Sequence, residues 1–493
     1  MYKPTKEEFV KLSKEGSLVP VCCEVMADCE TPVSAYLKLG TRAYSFLLES
    51  VEGGEKVGRY SFIGGEPLFV FESKGREVKI REKGETLREI CADPLEALRE
   101  KMGKYRPVRV DGLPPFTGGA VGFVGYDTVK FWERLPDRKE DTGHIPDCCF
   151  MLVDTVVAFD HLRRIIQVIT NVNLESERNP GSAYDAAVAR IELILSKLAR
   201  PLTRKAATLS IQGDGTAYST AFARKDFENA VRKAKDYIEM GDIFQVVISR
   251  KLAAPYQKDP LQLYRALRMI NPSPYLFYLN MGLYQLAGSS PEINVRLNGE
   301  EAQVRPIAGT RPRGKTPEAD QALAAELAAD EKERAEHLML VDLGRNDLGR
   351  VCTYGTVKVR DFMTVERYSH VMHLVSTVTG RLKPEYDAFA LFKATFPAGT
   401  VSGAPKVRAM EIIHELEPEA RGPYAGAVGY FAFSGEMDTC ITIRTILVAD
   451  GKAYVQSGAG IVADSDPARE WEETENKAKG MLKAICIAGG GMK

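Results

Sequence analysis

Six short segments in the second half of the chain carry the residue types that chemistry on a small acid requires. They read GDIFQVVISR (241–250), GSSPEINVR (288–296), RPIAGTRPRG (305–314), ERAEHLMLVDLGRNDLGRV (333–351), PAGTVSGAPK (397–406) and QSGAGIVADSDPAREWEETENKAKG (456–480). Together they supply carboxylates for a hard cation, glycine-flanked backbone amides for an anion, and fixed positive charges. The combination predicts a site that holds a small dicarboxylate on a metal ion.

An acid and a base lie on one face of a helix predicted at 467–486. Glu473 and Lys477 are four residues apart and therefore face the same way. Alone, such a pair is typical of a solvated helix surface. The preceding segment contains Gly458 and Gly460, which we predict to form a turn that presents backbone amides to an anion. A glycine-rich turn before the helix favours an inward-facing acid and base.

A second carboxylate is predicted on another helix. Glu336 shares a helix face with Leu340, inside a run that must be largely buried. A buried carboxylate needs a partner. Two carboxylates from separate helices, together with a carboxylate of the ligand, suit Mg²⁺, which prefers oxygen ligands and tolerates an incomplete protein cage. The chain has only 6 His, which argues against zinc.

Glu292 and two histidines are further candidates. Glu292 follows a proline and precedes a predicted strand, so it is either an ordinary turn residue or a general acid whose pKa is raised by burial. His370 and His373 fall on opposite faces of a strand but on one face of a helix. For each histidine, a hydrogen-bonded place in the core is the alternative to a role in chemistry.

Bulk properties restrict the class of protein. A chain of 493 residues needs two or more cores or layers. The charges balance, with 66 Lys plus Arg against 67 Asp plus Glu, so nothing favours nucleic acid or an anionic membrane as a partner. We find no apolar run long enough to span a bilayer and no apolar secretion signal. The 9 Cys lack C-x-x-C pairs and indicate free thiols in a reducing cytoplasm.

Short strands outnumber helices along the chain. Helices are predicted at 182–200, 223–240, 322–344, 407–416 and 467–486, and strands around 275–287, 292–298, 302–308, 425–433, 439–449 and 452–457. The pattern predicts an α+β protein with large antiparallel or mixed sheets covered by helices. A polar, aperiodic stretch at 201–220 predicts a linker between an N-terminal region, 1–205, and a catalytic region, 222–487.

With these motifs the chain resembles the chorismate-utilising enzymes over nearly its whole length. Within that family, LLESVEGGEKVGRYSFIG (47–64) resembles the N-terminal region of the large subunits, component I, of anthranilate synthases. The resemblance implies two stacked antiparallel β-sheets flanked by helices, in an α/β/β/α arrangement. It places the active site in the cleft between the sheets.

The resemblance also implies roles for individual residues. Glu336 and Glu473 would ligate Mg²⁺, Glu292 would be the general acid, and His373 the histidine of the active site. Arg444 would be an unpaired buried charge without an anionic partner, and a carboxylate matches its guanidinium bidentately. The residues implied to bind chorismate are Gly309, Thr310, Tyr424, Arg444, Gly458, Ala459, Gly460 and Lys477.

Two positions favour one reaction within the family. Isochorismate and salicylate synthases have a water-activating Lys where this chain has Gln245, and aminodeoxychorismate synthases typically have Lys where it has Ala308. Both residues fit direct attack by ammonia. The resemblance therefore implies conversion of chorismate and ammonia to anthranilate and pyruvate, through 2-amino-2-deoxyisochorismate, as the first step of tryptophan biosynthesis. No glutaminase motif is evident, so ammonia from glutamine would come from a separate amidotransferase subunit.

Two further segments resemble a tryptophan feedback site. They are Leu-Leu-Glu-Ser at 47–50 and Asn-Pro-Ser-Pro-Tyr at 271–275, and the implied inhibitor contacts are Glu49, Ser50, Pro274, Tyr275 and Leu276. Glu49 would face the inhibitor's ammonium group. Leu276 stands where many relatives have Met, a change that conserves volume. The alternative is that both segments are ordinary buried strands and turns.

Other functions remain open at this stage. One is aminodeoxychorismate synthase component I, another is a catalytically inactive tryptophan-binding regulatory subunit, and a third is a structural scaffold. The set of charges at Glu336, Arg444, Glu473 and Lys477, predicted to be buried, argues against a chain that has lost catalysis.

Overall fold

Two large antiparallel sheets organise the protein. The computed structural model describes residues 2–40, 42–50, 58–136, 145–175, 179–202, 216–368 and 371–490. The strands within these residues are β1 (Tyr2–Lys3), β2 (Leu18–Met26), β3 (Ser45–Glu49), β4 (Tyr60–Gly65), β5 (Phe69–Lys74), β6 (Glu77–Glu82), β7 (Glu85–Ile90), β8 (Gly119–Val124), β9 (Cys148–Val153), β10 (Thr155–Asp160), β11 (Ile165–Asn173), β12 (Gln245–Pro255), β13 (Tyr275–Asn280), β14 (Tyr284–Ser290), β15 (Ile293–Asn298), β16 (Glu301–Val304), β17 (Ile307–Pro312), β18 (Lys358–Arg367), β19 (Val371–Arg381), β20 (Gly403–Ala404), β21 (Ala427–Ala432), β22 (Met437–Ile441), β23 (Thr445–Ala449) and β24 (Lys452–Ile461).

Helices connect and cover these strands. They are α1 (Lys6–Leu12), α2 (Pro32–Leu39), α3 (Pro94–Met102), α4 (Pro180–Leu198), α5 (Arg224–Glu239), α6 (Pro260–Ile270), α7 (Pro317–Ala329), α8 (Glu331–Gly349), α9 (Ala388–Thr395), α10 (Lys406–Leu416) and α11 (Pro467–Gly490), with 3₁₀ turns at Tyr126–Phe131 and Gly399–Val401. Side-chain caps fix most of their starts; Asp387, for example, accepts a hydrogen bond from the N–H of Ala390 at the start of α9.

Both sheets mix strands from early and late in the chain. The first sheet has the order β1-β2-β11-β10-β4-β3-β13-β14-β23-β24-β12-β20. The second has the order β17-β19-β16-β15-β22-β21-β8-β9-β5-β6-β7, with β18 also paired to β19. Most of the predicted linker, at 203–215, lies outside the described residues. The division into 1–205 and 222–487 therefore stays a prediction.

The two sheets pack face to face. Phe46 and Phe277 from the first sheet share a buried cluster with Phe123 and Tyr430 from the second. On the outer faces, α1, α2, α4, α6 and α11 lie over the first sheet, and α3, α7, α8 and α9 lie over the second. The α+β class and the stacked, helix-flanked sheets are thus confirmed. No helix in the described ranges combines the length and the apolar character needed to cross a bilayer.

Several predicted elements are divided in the structure. The helix predicted at 322–344 breaks at Asp330, whose side chain caps the start of α8 by accepting from two backbone N–H groups. The strand predicted at 275–287 is a hairpin that turns through Gly282, with a φ of 82°. The strands predicted at 302–308 and 439–449 are also two strands each, and the second of these divides between the two sheets.

Candidate active site

Two crossings between the sheets meet at one place. The chain passes from β14 in the first sheet to β15 in the second at Glu292, and it returns from β22 to β23 at Arg444. The backbone N–H of Ile441 donates to the carbonyl oxygen of Glu292 at 3.0 Å, and that of Ser289 donates to the carbonyl oxygen of Arg444 at 3.1 Å. These hydrogen bonds bring the predicted acid and the predicted guanidinium into one region of the cleft.

Glu292 is buried and holds its proton at neutral pH. Its exposed fraction is 5%. Burial raises its pKa to about 8, against the opposing effects of a hydrogen bond from Thr400, one from the backbone of Ile307, and the charges of Arg444 and Lys477. Thr400 Oγ1 lies 2.6 Å from Glu292 Oε1. A carboxyl group in this state can donate a proton at pH 7, as a general acid must.

His373 lies on β19 opposite Thr310 on β17. The pairing of these strands shifts at Gly309, which has a φ of 70° and directs its carbonyl oxygen to His373 Nδ1 at 2.9 Å. A carbonyl oxygen only accepts, so Nδ1 carries the proton and Nε2 keeps its lone pair. Burial lowers the pKa of His373, so the ring is neutral at pH 7 and Nε2 can accept a proton. The neighbouring His370 lies outside the described residues.

Carboxylates from two helices approach each other beside β12. Burial raises the pKa of Glu336 on α8, and the negative charges of Glu333 and Glu473 raise it further, while a hydrogen bond from Gln245 Nε2 at 3.2 Å opposes the shift. Burial raises the pKa of Glu470 on α11, and the charge of Glu473 adds to the effect. The side chains of Glu333, Glu336, Glu470 and Glu473 therefore concentrate negative charge at this corner.

The donors of this corner suit a hard divalent cation. Oε1 of Gln245 and Oε2 of Glu470 are buried and have no hydrogen-bond partner. All the available donors are oxygens, the ligand type that Mg²⁺ prefers. In the described part of the chain, no three His, Cys, Asp or Glu side chains are arranged to hold a metal by themselves. The residues fit Mg²⁺ if a ligand supplies further oxygen donors, as the sequence prediction requires.

Lys477 connects the acidic corner to the rest of the cleft. Its Nζ donates to the carbonyl oxygen of Gly458 at 3.0 Å and lies 2.7 Å from Glu473 Oε1. Its charge also acts on the pKa values of both Glu292 and Glu336. The expectation that this acid and base are buried was wrong, because their side chains are 47% and 48% exposed. They lie at the edge of the cleft.

The glycines at 458 and 460 are in a strand. Both belong to β24, where Gly458 pairs with Ser249 and Gly460 with Val247 of β12, so the predicted anion-binding turn was wrong. A β-carbon on Gly458 would lie 2.9 Å from Tyr424 Oη, and one on Gly460 would lie 2.5 Å from Gln245 Nε2. The glycines therefore allow two side chains to approach the strand closely. Ala459 between them is fully buried.

Sequence reasoning missed two contacts in the cleft. Thr400 lies within the segment PAGTVSGAPK, but the local sequence assigns it no role because its hydrogen-bond partner Glu292 is 108 positions away. Nη1 of Arg444 donates to Asn271 Oδ1 at 3.4 Å, and no carboxylate in the described ranges pairs with this guanidinium. Burial lowers the pKa of Arg444. The arrangement leaves a positive group for an anionic ligand.

A second cavity, of about 250 Å³, lies between the sheets. Four predicted inhibitor residues border it, Glu49, Ser50, Tyr275 and Leu276, while Pro274 is buried directly before Tyr275. Two of the side chains turn to the opposite face of the first sheet. Leu276 packs in the hydrophobic cluster between the first sheet and the helices that cover it. The Glu49 carboxylate is 3.0 Å from Arg268 Nε and accepts a hydrogen bond from Tyr264.

Acidic groups on the second sheet also border this cavity and were not anticipated. Oε2 of Glu436 is buried without a hydrogen-bond partner. Asp438 pairs with Arg296 at 2.8 Å and accepts a hydrogen bond from Tyr275 at 3.0 Å. Only the packing of the sheets brings these residues to the segment around Ser50, so no local sequence signal could have identified them.

Comparison with known proteins agrees with this geometry. A family model for chorismate binding enzymes matches residues 46–483. The anthranilate synthase component 1 of Acetivibrio thermocellus is 50% identical over 493 residues, which cover 99% of each chain. The crystal structure of anthranilate synthase component I from Streptococcus pneumoniae TIGR4 has 39% identity and a TM-score of 0.78, covering 93% of this chain and 99% of that one.

A more distant structure shares the fold. The menaquinone-specific isochorismate synthase MenF of Escherichia coli has 19% identity and a TM-score of 0.71, over 97% of this chain and 98% of its own. The chain therefore belongs to the chorismate-binding enzyme family, among the component 1 proteins of anthranilate synthases.

Proposed function

We propose that this chain converts chorismate and ammonia to anthranilate and pyruvate, with Mg²⁺ as cofactor. The observation that carries the proposal is Glu292, a buried carboxyl group whose pKa is raised to about 8, near the Arg444 guanidinium, which pairs with no carboxylate in the described ranges. Departure of the 4-hydroxyl group of chorismate requires such an acid, and an anionic substrate requires such a cation. The high identity to component 1 proteins supports the same reaction.

Substrate binding divides between two ends of the cleft. Arg444 and Tyr424 are the proposed contacts for one carboxylate, with Thr310 and the backbone at Gly309 beside them. The ring carboxylate is proposed to lie at the acidic corner, where Glu336 and Glu473 would hold Mg²⁺. The metal would neutralise and polarise this carboxylate. The backbone of Gly458, Ala459 and Gly460, together with Lys477, forms the edge between the two ends.

The first step joins ammonia to ring carbon 2. As the carbon–nitrogen bond forms, Glu292 donates its proton to the 4-hydroxyl group, which leaves as water. The product of this step is 2-amino-2-deoxyisochorismate. In the second step the proton on carbon 2 is removed and the enolpyruvyl group, after gaining a proton on its methylene carbon, leaves as pyruvate. We assign proton transfer in this step to His373, and its unprotonated Nε2 supports the assignment.

The nucleophile is proposed to be ammonia itself. Ala308 on β17 has no nucleophilic side chain, and Gln245 at the start of β12 hydrogen-bonds Glu336 and has no basic group to activate water. In the cell the ammonia would come from glutamine through a separate amidotransferase subunit. A cytoplasmic location remains part of this proposal.

A direct assay tests this function. The purified chain with chorismate, Mg²⁺ and an ammonium salt is expected to form anthranilate, detected by its fluorescence, with one pyruvate released for each molecule. Addition of EDTA is expected to stop the reaction, and excess Mg²⁺ to restore it. Formation of aminodeoxychorismate without pyruvate, or no consumption of chorismate, would contradict the proposal.

We further propose that the second cavity binds tryptophan as a feedback inhibitor. Its volume and its lining by Tyr60, Phe62, Tyr275 and Tyr430 suit an aromatic amino acid. Arg268 pairs with Glu49 at 3.0 Å, whereas Glu436 meets only the exposed Arg109, at 3.5 Å through Oε1, and its buried Oε2 has no hydrogen-bond partner. Glu436 is therefore the better placed carboxylate for the ammonium group. Asn271 links this cavity to the active site. It lies four residues before Tyr275, and its Oδ1 accepts a hydrogen bond from Arg444.

Filling this cavity tests the inhibitor site. The change Ser50→Phe is expected to weaken tryptophan binding at least tenfold, because the ring occupies space that the inhibitor needs. Calorimetric titration with tryptophan measures the affinity, and inhibition of anthranilate formation gives a second readout. Glu436→Gln is expected to weaken binding more than Glu49→Gln. Unchanged affinity in the Ser50→Phe chain would place the inhibitor elsewhere.

A further inference from the structure

A fully buried ion pair lies behind the proposed active site and has no part in the chemistry described so far. Glu417 and Arg421 are 3% and 2% exposed. Nε of Arg421 donates to Glu417 Oε2 at 2.9 Å and Nη2 donates to Oε1 at 2.6 Å, in a bidentate pair. Desolvation makes such a pair a weak source of stability, since apolar residues of similar volume often replace one without loss. Its hydrogen bonds indicate what it does instead.

The pair joins two backbone segments that carry proposed site residues. Nη1 of Arg421 donates to the carbonyl oxygen of Val401 at 2.6 Å, directly after Thr400, whose hydroxyl group bonds Glu292. Nη2 donates to the carbonyl oxygen of Val247 at 2.7 Å, on β12 opposite Gly460. The guanidinium thus fixes the segment of Thr400 relative to the strand that pairs with the glycines.

Glu417 extends the same connection along β12. Its Oε1 accepts hydrogen bonds from the backbone N–H of Ser249 at 2.7 Å and from Ser249 Oγ at 2.8 Å. Ser249 pairs with Gly458 and accepts a hydrogen bond from Gln456 Nε2 at 2.9 Å. The carboxylate therefore fixes the place where β12 and β24 meet beside the cleft.

The face of the guanidinium supports a proposed substrate contact. Its central carbon lies 5.6 Å from the ring centroid of Tyr424 and 4.6 Å from that of Tyr126. Cation–π attraction and contact favour this placement of the Tyr424 ring. Tyr424 Oη is in turn close to Gly458, where an added β-carbon would be 2.9 Å away.

We propose that Arg421, held by Glu417, is a positioning residue for chorismate binding. It sets the Tyr424 ring and the Thr400 segment against β12 and β24 without touching the substrate itself. This inference rests on the proposed function. Lysine in its place would keep the charge but lose the planar fork that makes four hydrogen bonds at once.

Two variants test the inference in the full-length chain. Arg421→Lys and the double change Glu417→Leu with Arg421→Met are each expected to raise the KM for chorismate at least tenfold. The double variant removes both charges together, so no unpaired charge remains to prevent folding. KM does not depend on the concentration of folded enzyme, whereas partial unfolding lowers only the apparent kcat. A merely structural role would therefore leave KM unchanged.

A matched ion pair far from the cleft provides the control. Lys38 pairs with Glu30, with side chains 11% and 14% exposed, and also donates to the carbonyl oxygen of Leu198 at 2.9 Å. The double change Glu30→Leu with Lys38→Met is expected to leave KM within about twofold of the parent value. Parent-like KM in both Arg421 variants would overturn the inference. Absence of anthranilate formation by the parent chain would instead overturn the proposed function.

Discussion

Replacing Glu292 by Gln is expected to lower kcat for anthranilate formation by about a hundredfold to ten-thousandfold, the range that general acid catalysis commonly supplies. Gln keeps the shape of the side chain but has no acidic proton for the departing 4-hydroxyl group. The measurement is initial rate at saturating chorismate and ammonium, at pH 7. Turnover within tenfold of the parent chain would remove Glu292 from this role.

The same change is expected to stabilise the protein at alkaline pH. The Glu292 carboxyl group ionises near pH 4.5 in the unfolded chain but only near pH 8 in the folded one. Between these values the folded state binds more protons, so its stability falls as pH rises, by about 1.4 kcal/mol per unit for one proton. Gln avoids this loss. The variant is expected to exceed the parent in free energy of unfolding at pH 8 by roughly 2–4 kcal/mol.

Denaturant unfolding at pH 5 and pH 8 measures this difference, with Glu85→Gln on the exposed edge strand β7 as control. The control change is expected to shift both free energies equally.

Thr400 provides a second test of the pKa of Glu292, because its hydrogen bond stabilises the charged carboxylate. Thr400→Val is expected to raise the pKa of Glu292 and to move the alkaline limb of the kcat profile to higher pH, while Thr400→Ser preserves it.

Removing either carboxylate of the acidic corner is expected to weaken Mg²⁺ binding and to remove most of the activity. Glu336→Gln and Glu473→Gln each remove a carboxylate oxygen that we propose as a ligand, from a corner that offers few donors, and a hard cation binds neutral amides less strongly. We expect kcat/KM to fall at least a hundredfold at millimolar Mg²⁺. Binding of Mn²⁺ as a spectroscopic substitute is expected to weaken at least tenfold in the presence of chorismate.

Glu472→Gln is the matched control for this prediction. Glu472 neighbours Glu473 on α11, is exposed, and points away from the corner that Glu336 shares. Its replacement is expected to change neither Mn²⁺ affinity nor kcat/KM by more than about twofold. Normal Mn²⁺ binding by both Glu336→Gln and Glu473→Gln would show that the cation binds at another place.

Local sequence patterns predicted much of the secondary structure and several candidate residues of the site. Helix α11 follows from its 3.6-residue periodicity, and the acid–base spacing of Glu473 and Lys477 requires only helical geometry. The patterns failed where glycines interrupt an apolar alternation. Gly458 and Gly460 suggested a turn, but hydrogen bonds to β12 hold them in a strand. A strand partner some 210 positions earlier leaves no trace in the local pattern.

The proposed inhibitor segments also differ in what the sequence could predict and what only the packing of distant elements decided. The family resemblance implied that the regions around Ser50 and Tyr275 contribute to one inhibitor site, and both regions border one cavity. It could not indicate that the Glu49 side chain faces Arg268 on α6 and not the cavity. Side chains alternate between the two faces of a strand, and only the packing of the helix shows which face borders the cavity.

By itself, the sequence determined the α+β class and the oxygen-rich set of candidate donors, since these follow from periodicity and composition, whereas the proposal of Glu292 as the acid came from the family resemblance. The tertiary structure alone decided that burial raises the pKa of Glu292 and that Arg444 pairs with no carboxylate among the residues that the structure describes. Both properties arise where two strand crossings meet between the sheets. Burial and electrostatic coupling depend on every neighbour in space, and those neighbours come from segments more than a hundred residues apart.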